Sequence, residues 1–336
     1  MFSKIYYKTK KISKSGIALF SAIGCFTAIG AVIAINNRSS SKENITLILS
    51  TRSNPFFIEI ENAVKNKLKD SNYNLIVLDS ENDDSKQSQN ISNAISLDSK
   101  AILINAVNSS TAWEGGIKNV YTKQIPVIAI DRSIITSQEN GITQTIASNN
   151  IAGAKDIAKW FKSEYPNAFN FNVFHLGGVA GAQAALDRAK GFKQGFEKDY
   201  LTSEIADFNR EKALEKTNIV LQSRGNEFKI IFADNDEMAL GAIEAIKKQN
   251  YQAISTKPFD VTNGKYYVLG FDGTKDALNL VANGTLTATV IQQPKLMGEL
   301  AVEAILDILK GKQVEKTKDA ATLVVSKTNV NNYLSK

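Results

Sequence analysis

The chain has 336 residues, of which 43% are apolar and 22% are charged, with 20 glycines and 5 prolines. This composition is typical of a globular protein and excludes a disordered, collagen-like or low-complexity chain. Its length predicts one large domain or two medium-sized ones. A single cysteine, Cys25, and a single histidine, His175, exclude an internal disulfide framework and zinc clusters, and they argue against histidine-based catalysis.

The formal net charge of +6 suggests a nucleic-acid partner, but the distribution of the charge argues against one. Residues 1–35 contain five lysines and no acidic residue, which leaves +1 for residues 36–336. A DNA- or RNA-binding protein needs a dense face of lysine and arginine, and no such run occurs. We therefore expect no nucleic-acid partner.

The first forty residues carry an export signal. Gly16–Ile35 is a run of twenty residues without a charged side chain, and the five lysines precede it. A basic flank followed by an apolar run directs export. Three outcomes remain open: cleavage after Gly30 or Ala34, retention as an uncleaved membrane anchor, or lipidation at Cys25. Each outcome places the rest of the chain outside the cytoplasm, in the periplasm or at the outer face of the cytoplasmic membrane.

From residue 44 onward, short β-rich segments alternate with amphipathic ones. Many β-rich segments are continuous apolar runs, which are typical of strands buried on both faces of a parallel sheet. Strands are predicted at Ile45–Ser50, Tyr73–Asp79, Ala101–Asn105, Pro126–Asp131, Asn170–Leu176, Ser203–Phe208, Lys229–Ala233, Tyr266–Phe271 and Thr287–Gln292. Helices are predicted at Phe56–Leu68, Ser85–Ile95, Ala152–Ser163, Ala182–Lys198, Glu211–Gln222, Glu237–Lys248 and Pro294–Leu309. The alternation predicts an α/β protein with two doubly wound parallel-sheet lobes.

The residues near the carboxyl ends of the predicted strands are where ligands bind in open α/β sheets. They and one helix residue combine carboxylates, arginines, amides and aromatic rings: Asn54, Phe56, Phe57, Asn105, Asp131, Arg132, Arg188, Phe208, Asn235, Asp272 and Gln292. Carboxylates accept hydrogen bonds from hydroxyls, arginine donates in a planar fork, and amides do both. This mixture favours an uncharged sugar, because a phosphate site would need a glycine-rich loop or an excess of cationic residues.

Several of these residues also have an ordinary structural interpretation. Asp131 and Arg132 could form a surface ion pair, and Phe56 and Phe57 could belong to the core. Asn235 could simply cap the following helix. The individual signals are therefore weak, and the prediction of a site depends on their joint placement.

Other conspicuous residues predict packing rather than chemistry. His175 lies inside an apolar run and is interpreted as structural, and Trp113 and Trp160 lie on helical patterns. Gly177–Gly181 follows a strand without the full dinucleotide-binding spacing, so it predicts a turn. No Gly-x-Ser-x-Gly nucleophile elbow occurs.

Eight stretches carry a pattern of a known family: Ser50–Phe57, Val77–Asp79, Ala129–Arg132, Arg188–Phe192, Ala206–Phe208, Asn235–Ala242, Val268–Gly273 and Ala288–Pro294. They resemble periplasmic sugar-binding proteins of the ribose/galactose type, and most of all the D-ribose-binding proteins of bacterial ABC importers. The resemblance covers about residues 44–330. It implies a periplasmic binding protein type I fold and a binding protein that is not an enzyme, with no cofactor and no metal.

In ribose-binding proteins the sugar ring lies between phenylalanines, whose positions match Phe56, Phe57 and Phe208. The groups that hold the sugar hydroxyls match Asn54, Asn105, Asp131, Arg132, Arg188, Asn235, Asp272 and Gln292. The tryptophan and the calcium loop of galactose-binding relatives are not seen in the sequence. The departures are Ala106–Val107, where Pro-Thr is usual, about ten extra residues near Ala253–Asn263, and a longer N-terminal segment. None of them involves the ligand set.

The resemblance also implies two lobes joined by three hinge crossings, near Ser148, Gln292 and Leu323. Residues 1–43 would form the signal or anchor, 44–148 with 293–323 the N-terminal lobe, and 149–292 with 324–336 the C-terminal lobe. A monomer would close around D-ribose or a close monosaccharide and deliver it to an ABC permease in the membrane. A chemoreceptor is a further possible partner.

Three other functions remain as alternatives. A transcriptional repressor of the same core shape would need a helix-turn-helix at the front, where this chain has an apolar run. A sugar hydrolase could use Asp131 and Asp272 as its carboxylate pair, although donors around both would keep them ionised. A membrane-tethered sugar-sensing domain would bind the same ligand.

Overall fold

The computed structural model describes residues 42–257, 259–260 and 262–334. The predicted export segment, with Cys25, lies outside these residues. Over the described ranges, the chain holds no helix with both the length and the apolar character needed to cross a membrane.

The described residues form thirteen strands and nine α-helices. The strands are β1 (Glu43–Leu49), β2 (Tyr73–Asp79), β3 (Ser99–Ile104), β4 (Val127–Ile130), β5 (Gln144–Ser148), β6 (Asn172–Gly177), β7 (Thr202–Ile205), β8 (Phe228–Ala233), β9 (Gln252–Ala253), β10 (Lys265–Leu269), β11 (Ala288–Ile291), β12 (Thr317–Ala320) and β13 (Leu323–Ser326). The helices are α1 (Pro55–Leu68), α2 (Asp84–Ser96), α3 (Lys118–Thr122), α4 (Asn150–Glu164), α5 (Gln183–Phe196), α6 (Arg210–Arg224), α7 (Asp236–Lys248), α8 (Lys275–Asn283) and α9 (Pro294–Leu309).

These strands form two separate sheets. The first has the order β12-β5-β4-β3-β1-β2, and all its pairings are parallel. The second has the order β13-β11-β10-β8-β6-β7, with β9 alongside β10. Its pairings are parallel except that of β13, which runs antiparallel to β11. The predicted α/β architecture with two parallel-sheet lobes is therefore confirmed.

Both sheets are buried on both faces, as the continuous apolar runs predict. In β1, Leu47 packs into the cluster formed with α1 and α9, whereas its neighbour Ile48 packs into the cluster formed with α2. In β8, Ile230 and Ile231 likewise belong to clusters on opposite faces. Successive side chains of a strand point to opposite faces, so a helix layer is needed on each side.

The helix pair α4 and α5 packs closely enough to require glycine. A side-chain carbon at Gly191 would collide with the main-chain oxygen of Ile151, and one at Gly195 with that of Lys155. Both glycines lie on the face of α5 that contacts α4. This close approach fixes α5, which carries Arg188 one turn before Gly191.

The predicted elements differ from the observed ones mainly at strand ends and at the sheet edges. The bounds of β2 and α9 are as predicted. Six observed strands (β1, β3, β4, β7, β10 and β11) end one to three residues before the predicted end. The predicted site residues Asn105, Asp131, Phe208 and Gln292 lie in these extra positions. Four further strands (β5, β9, β12 and β13) and the helices α3 and α8 have no counterpart in the prediction.

Candidate ligand-binding site

Ten of the eleven predicted site residues lie around one cavity between the carboxyl ends of the two sheets: Asn54, Phe56, Phe57, Asp131, Arg132, Arg188, Phe208, Asn235, Asp272 and Gln292. The eleventh, Asn105, is hydrogen-bonded to one of them. The cavity is narrow, with a volume of about 10 Å³. Ala184 also lines it and was not predicted, since an alanine on a helix carries no chemical signal.

The loop after β1 and the first turn of α1 supply the first group of site residues. Asn54 caps α1, and its side-chain oxygen accepts a hydrogen bond from the N–H of Phe56 at 3.0 Å. Pro55 at the first helical position reinforces this start. The rings of Phe56 and Phe57 are buried, with centroids 5.4 Å apart and planes at 80°. The capping interpretation and the ligand interpretation of Asn54 are therefore compatible.

Asp131 comes directly after β4 in a left-handed backbone conformation, with φ at 66°. Non-glycine residues adopt this conformation at a cost, and such strain concentrates at functional sites. Asn105, directly after the neighbouring β3, holds the turn in place. Its amide nitrogen donates to the carbonyl oxygen of Ile130 at 3.0 Å and to Asp131 Oδ2 at 3.3 Å. Asn105 therefore orients the carboxylate of Asp131.

The guanidinium of Arg132 lies between two aromatic rings. Its central carbon is 5.4 Å from the centroid of Phe57 and 5.1 Å from that of Phe208. Its Nη1 donates to the main-chain oxygens of Ala106 at 2.8 Å and Val107 at 3.3 Å. Because these partners are main-chain atoms, Ala106 and Val107 can replace the usual Pro-Thr without loss of the contact.

Arg188 reaches the cavity from α5 and is held on several sides. Its Nε donates to Asn150 Oδ1 at 2.8 Å, and its Nη1 donates to Asp272 Oδ1 at 3.4 Å and to the main-chain oxygen of Asp234 at 2.7 Å. The guanidinium carbon lies 4.0 Å from the ring centroid of Phe271. The sequence predicted Arg188 but not Asn150 or Phe271, whose supporting roles depend on packing.

The remaining residues follow β7, β8, β10 and β11. Phe208 and Asp272 both have positive φ, at 57° and 130°. Asn235 caps α7 and accepts from the N–H of Met238 at 3.0 Å. Gln292 Nε2 donates to Asp272 Oδ1 at 2.6 Å. These contacts bring the ends of neighbouring strands to one point, as expected at the carboxyl edge of a parallel sheet.

The site buries two carboxylates and two guanidiniums, so its formal charges balance. Asp131, Arg132, Arg188 and Asp272 are each 5% exposed or less. Burial raises the pKa of Asp131, against the opposing effect of Arg188 and Arg132. Burial also raises the pKa of Asp272, against Arg188, and lowers the pKa of Arg132 to about 10. A balanced site favours a ligand without net charge, because an added charge would be buried unpaired.

Five of the predicted residues carry a buried polar atom that has no hydrogen-bonding partner among the described residues: Asn105 Oδ1, Asp131 Oδ1, Arg132 Nε, Asn235 Nδ2 and Gln292 Oε1. Leaving such an atom unpaired costs about 1–3 kcal/mol. The set contains three acceptors and two donors. A ligand hydroxyl both donates and accepts, so a polyhydroxylated molecule can pair with all of them.

Two hydrogen bonds connect the first-sheet side of the cavity to the second-sheet side without involving the predicted site. The N–H of Ser109 donates to the carbonyl oxygen of Gly181 at 3.0 Å. The N–H of Gln183 donates to Ser109 Oγ at 3.1 Å. No residue type predicts these contacts, because three of the four groups involved are main-chain atoms.

His175 is a packed residue, as interpreted from the sequence. Its Nδ1 lies 2.6 Å from Ser203 Oγ and its Nε2 lies 2.9 Å from Asp234 Oδ1. Its ring stacks on Tyr200 with centroids 4.4 Å apart. Trp113 is also buried. Among the residues that the structure describes, no three His, Cys, Asp or Glu side chains are grouped so that they could hold a metal ion.

Comparisons with solved structures support the fold. A galactofuranose binding protein superposes with a TM-score of 0.80 at 24% identity, over 88% of this chain and 98% of that one. The binding protein of an arabinose ABC transporter from Shewanella sp. ANA-3 superposes with a TM-score of 0.75 at 25% identity, over 87% of this chain and 94% of that one.

Comparisons of sequence are more specific. The family profile described as periplasmic binding protein domain matches residues 45–313. The ribose import binding protein of Haemophilus influenzae is 37% identical over 286 residues, which cover 84% of this chain and 91% of that protein. The ribose import binding protein of Bacillus subtilis is 35% identical over 288 residues, covering 85% and 88%. The chain therefore belongs to the periplasmic binding protein family, with the type I fold.

Proposed function

We propose that the sugar this protein binds is D-ribose. Its family and its ribose-importing relatives make the chain an extracytoplasmic sugar-binding component of an ABC importer, and not an enzyme. The proposal concerns the identity of the sugar, the residues that hold it and the way the lobes deliver it.

The observation that carries the proposal is the set of unpaired buried polar atoms in a charge-balanced cavity. Among the residues that line the cavity, two acceptors (Asp131 and Gln292) and two donors (Arg132 and Asn235) match a small molecule with several hydroxyl groups and no net charge. Aromatic rings from both sides, Phe56 and Phe57 on one and Phe208 on the other, supply flat apolar surface for the C–H faces of a sugar ring. All eleven residues are of the type expected for ribose.

The two sheets support the lobe assignment proposed from the sequence. The first sheet takes strands from 43–148 and β12, which fits an N-terminal lobe of 44–148 with 293–323. The second takes strands from 172–291 and β13, which fits a C-terminal lobe of 149–292 with 324–336. The chain would then cross between lobes near Ser148, Gln292 and Leu323, and rotation about these crossings would open and close the cleft.

Closure turns solvated contacts into buried ones, and this accounts for the affinity. Hydrogen bonds to the charged groups of Asp131, Arg132, Arg188 and Asp272 contribute about 1.5–3 kcal/mol each when buried. A micromolar affinity needs about 8 kcal/mol, which several such bonds supply after the cost of ordering the ligand and the lobes. A sugar that lacks one hydroxyl leaves a charged group unpaired, so the same bonds confer selectivity.

Delivery would follow from the closed shape. We infer that a monomer closed around the sugar docks on an ABC permease in the membrane. A chemoreceptor would be a second partner that binds the same closed form. Residues 1–43 would direct export and would then be cleaved, retained as a membrane anchor or lipidated at Cys25. Sequencing the mature N-terminus distinguishes a released carrier from a membrane-tethered sensor: residues 1–30 absent in the first, residues 16–35 retained in the second.

Isothermal titration of the protein with D-ribose tests the ligand. Saturable binding of D-ribose, with no binding of D-glucose at the same concentration, is the expected result. Arg132→Ala should abolish measurable binding, whereas Arg52→Ala should not change it, because Arg52 is half exposed and pairs with Glu61. The absence of heat with ribose, together with binding of another sugar from a panel of pentoses and hexoses, would contradict the ribose assignment.

A further inference from the structure

Asp236 is a fully buried carboxylate that lies beside the site but does not line the cavity. It follows Asn235 and is the first residue of α7. Its exposed fraction is 0%, equal to that of the apolar core around it. Burying a carboxylate is unfavourable unless it is hydrogen-bonded, so the partners of Asp236 indicate what its burial achieves.

The carboxylate of Asp236 accepts three hydrogen bonds. Its Oδ1 accepts from Thr289 Oγ1 at 2.6 Å. Its Oδ2 accepts from the N–H of Thr274 at 2.8 Å and from Thr274 Oγ1 at 3.2 Å. In addition, the main-chain N–H of Asp236 donates to the carbonyl oxygen of Phe271 at 2.7 Å. One residue therefore connects the ends of three neighbouring strands.

Each of these three strand ends carries a residue of the proposed site. Phe271 and Thr274 flank Asp272 in the loop after β10, and Thr289 lies on β11 ahead of Gln292. Asn235 is the residue directly before Asp236. The bonds from Asp236 thus fix the spacing between Asn235, Asp272 and Gln292.

The backbone at Asp272 needs such support. Its φ of 130° is unusual for a residue with a side chain, and strained conformations persist only where neighbouring contacts hold them. Asp236 bonds the chain on both sides of Asp272, at Phe271 and at Thr274. Gly270 makes room for this, because a side-chain carbon there would collide with Asp236 Oδ1.

We propose that Asp236 is a positioning residue for sugar binding: it holds Asp272 and Gln292 in the geometry that receives the sugar hydroxyls. The inference rests on the proposed function in one respect: the ligand is a sugar bound by Asp272 and Gln292, whether or not it is ribose. Asp236 acts through these two residues and has no contact with the cavity.

The substitution Asp236→Asn tests the role with little change of shape. All the groups that face the carboxylate are donors, so the amide nitrogen of asparagine would meet a donor at one of its two positions. Because this substitution also removes a charge near Asp272, a second variant is needed. Thr289→Val removes one donor to Asp236 at almost constant volume and constant charge.

The chain offers a matched control for Thr289→Val. Thr46, in β1 of the first sheet, is buried to the same 0% exposure and also makes one buried side-chain hydrogen bond, to Ser99 Oγ at 2.7 Å. Thr46→Val therefore also loses a buried hydroxyl hydrogen bond, in a strand that does not contact Asp236. Both valine variants should lower the melting temperature, and only one should affect the ligand.

Titration of the full chain with D-ribose gives the readout. The affinity should fall about tenfold in Asp236→Asn and about threefold in Thr289→Val, the range expected for one misdirected buried hydrogen bond. It should change by less than about 1.5-fold in Thr46→Val, since that bond is remote from the site. Unchanged affinity in both Asp236→Asn and Thr289→Val would overturn the proposal, and so would an equal loss in Thr46→Val.

A double-mutant cycle separates positioning from general destabilisation. If Asp236 acts partly through Gln292, the loss caused by Asp236→Asn should be smaller in a Gln292→Ala background than in the wild type. Additive losses would contradict that route. The wild-type titration alone decides whether ribose is the ligand. If ribose is not the ligand, the affinities of the same variants are measured for the sugar that the wild type binds. The ribose assignment and the positioning role of Asp236 can therefore fail independently.

Discussion

The main-chain N–H of Ser109 donates to the carbonyl oxygen of Gly181 at 3.0 Å, which joins the two sides of the cleft outside the proposed sugar site. Ser109 Oγ adds a second bond by accepting from the N–H of Gln183. Gly181 has a φ of 84°, and a side-chain carbon there would lie 2.7 Å from Asn108 Nδ2. The arrangement of the two sides in this structure therefore has hydrogen bonds of its own.

Ser109→Ala should weaken sugar binding without altering a single sugar contact. The substitution leaves the N–H of Gln183 without its partner, which favours the open form. We expect ribose affinity to fall about twofold to fivefold, mostly through faster dissociation. Stopped-flow kinetics measures this rate. Ser92→Ala, which removes an exposed bond within α2, is the control, and an unchanged dissociation rate in Ser109→Ala would contradict the role.

Arg132→Lys should lose most of the sugar affinity although the charge is kept. Nη1 of Arg132 donates to two main-chain oxygens, and its Nε has no partner. The planar guanidinium can therefore hold the main chain with Nη1 and donate to the sugar with Nε. A lysine has one nitrogen and can satisfy only one side. We expect a loss of about thirtyfold or more, measured by titration, with Arg52→Lys unchanged. Near wild-type affinity in Arg132→Lys would show that charge alone suffices.

Asp236 should make the sugar-free protein less stable as the pH rises. Burial raises the pKa of Asp236 to about 7, whereas in the unfolded chain it is about 4. Between these values the folded form binds more protons, so the free energy of unfolding decreases with increasing pH and then levels off. Wild type should lose about 2–3 kcal/mol more than Asp236→Asn between pH 5 and pH 8. Urea unfolding at both pH values measures it, and parallel losses would refute it.

Gly191→Ala should destabilise the second lobe and disturb Arg188. The new carbon would collide with the main-chain oxygen of Ile151, so α5 would have to move away from α4. We expect a loss of about 1–3 kcal/mol in unfolding free energy and weaker ribose binding. Gln194→Ala, on the exposed side of the same helix, is the control. Greater stability in Gly191→Ala would mean that the helix tolerates the shift.

Much of the fold follows from patterns that the sequence displays openly. Continuous apolar runs predicted the central strands, because burial on both faces leaves no polar alternation. Strands β5 and β12 were missed for the opposite reason. β12 is mostly exposed and has the sequence Thr-Lys-Asp-Ala, so it shows neither an apolar run nor an alternation of apolar and polar residues. β5 is short and contains polar residues. Their place in the sheet depends on pairing with distant strands.

The site could be predicted as a set of residue types but not as a geometry. Strand ends and family resemblance gave the eleven residues. They did not give Asp236, whose importance comes from bonds to Thr274 and Thr289, thirty-eight and fifty-three residues away. The contact between Ser109 and Gly181 was equally hidden, because main-chain atoms carry no sequence signature.

The crossing of the chain between sheets near its end determines how the molecule can be assembled. The first sheet is completed by β12 and covered by α9, both of which follow every strand of the second sheet except β13. In a chain that emerges from a translocation channel with its N-terminus first, the first sheet and its helix layer would therefore stay incomplete until residues 294–320 emerge. Such long-range pairing is slow, so export factors and chaperones have time to engage an incomplete first half.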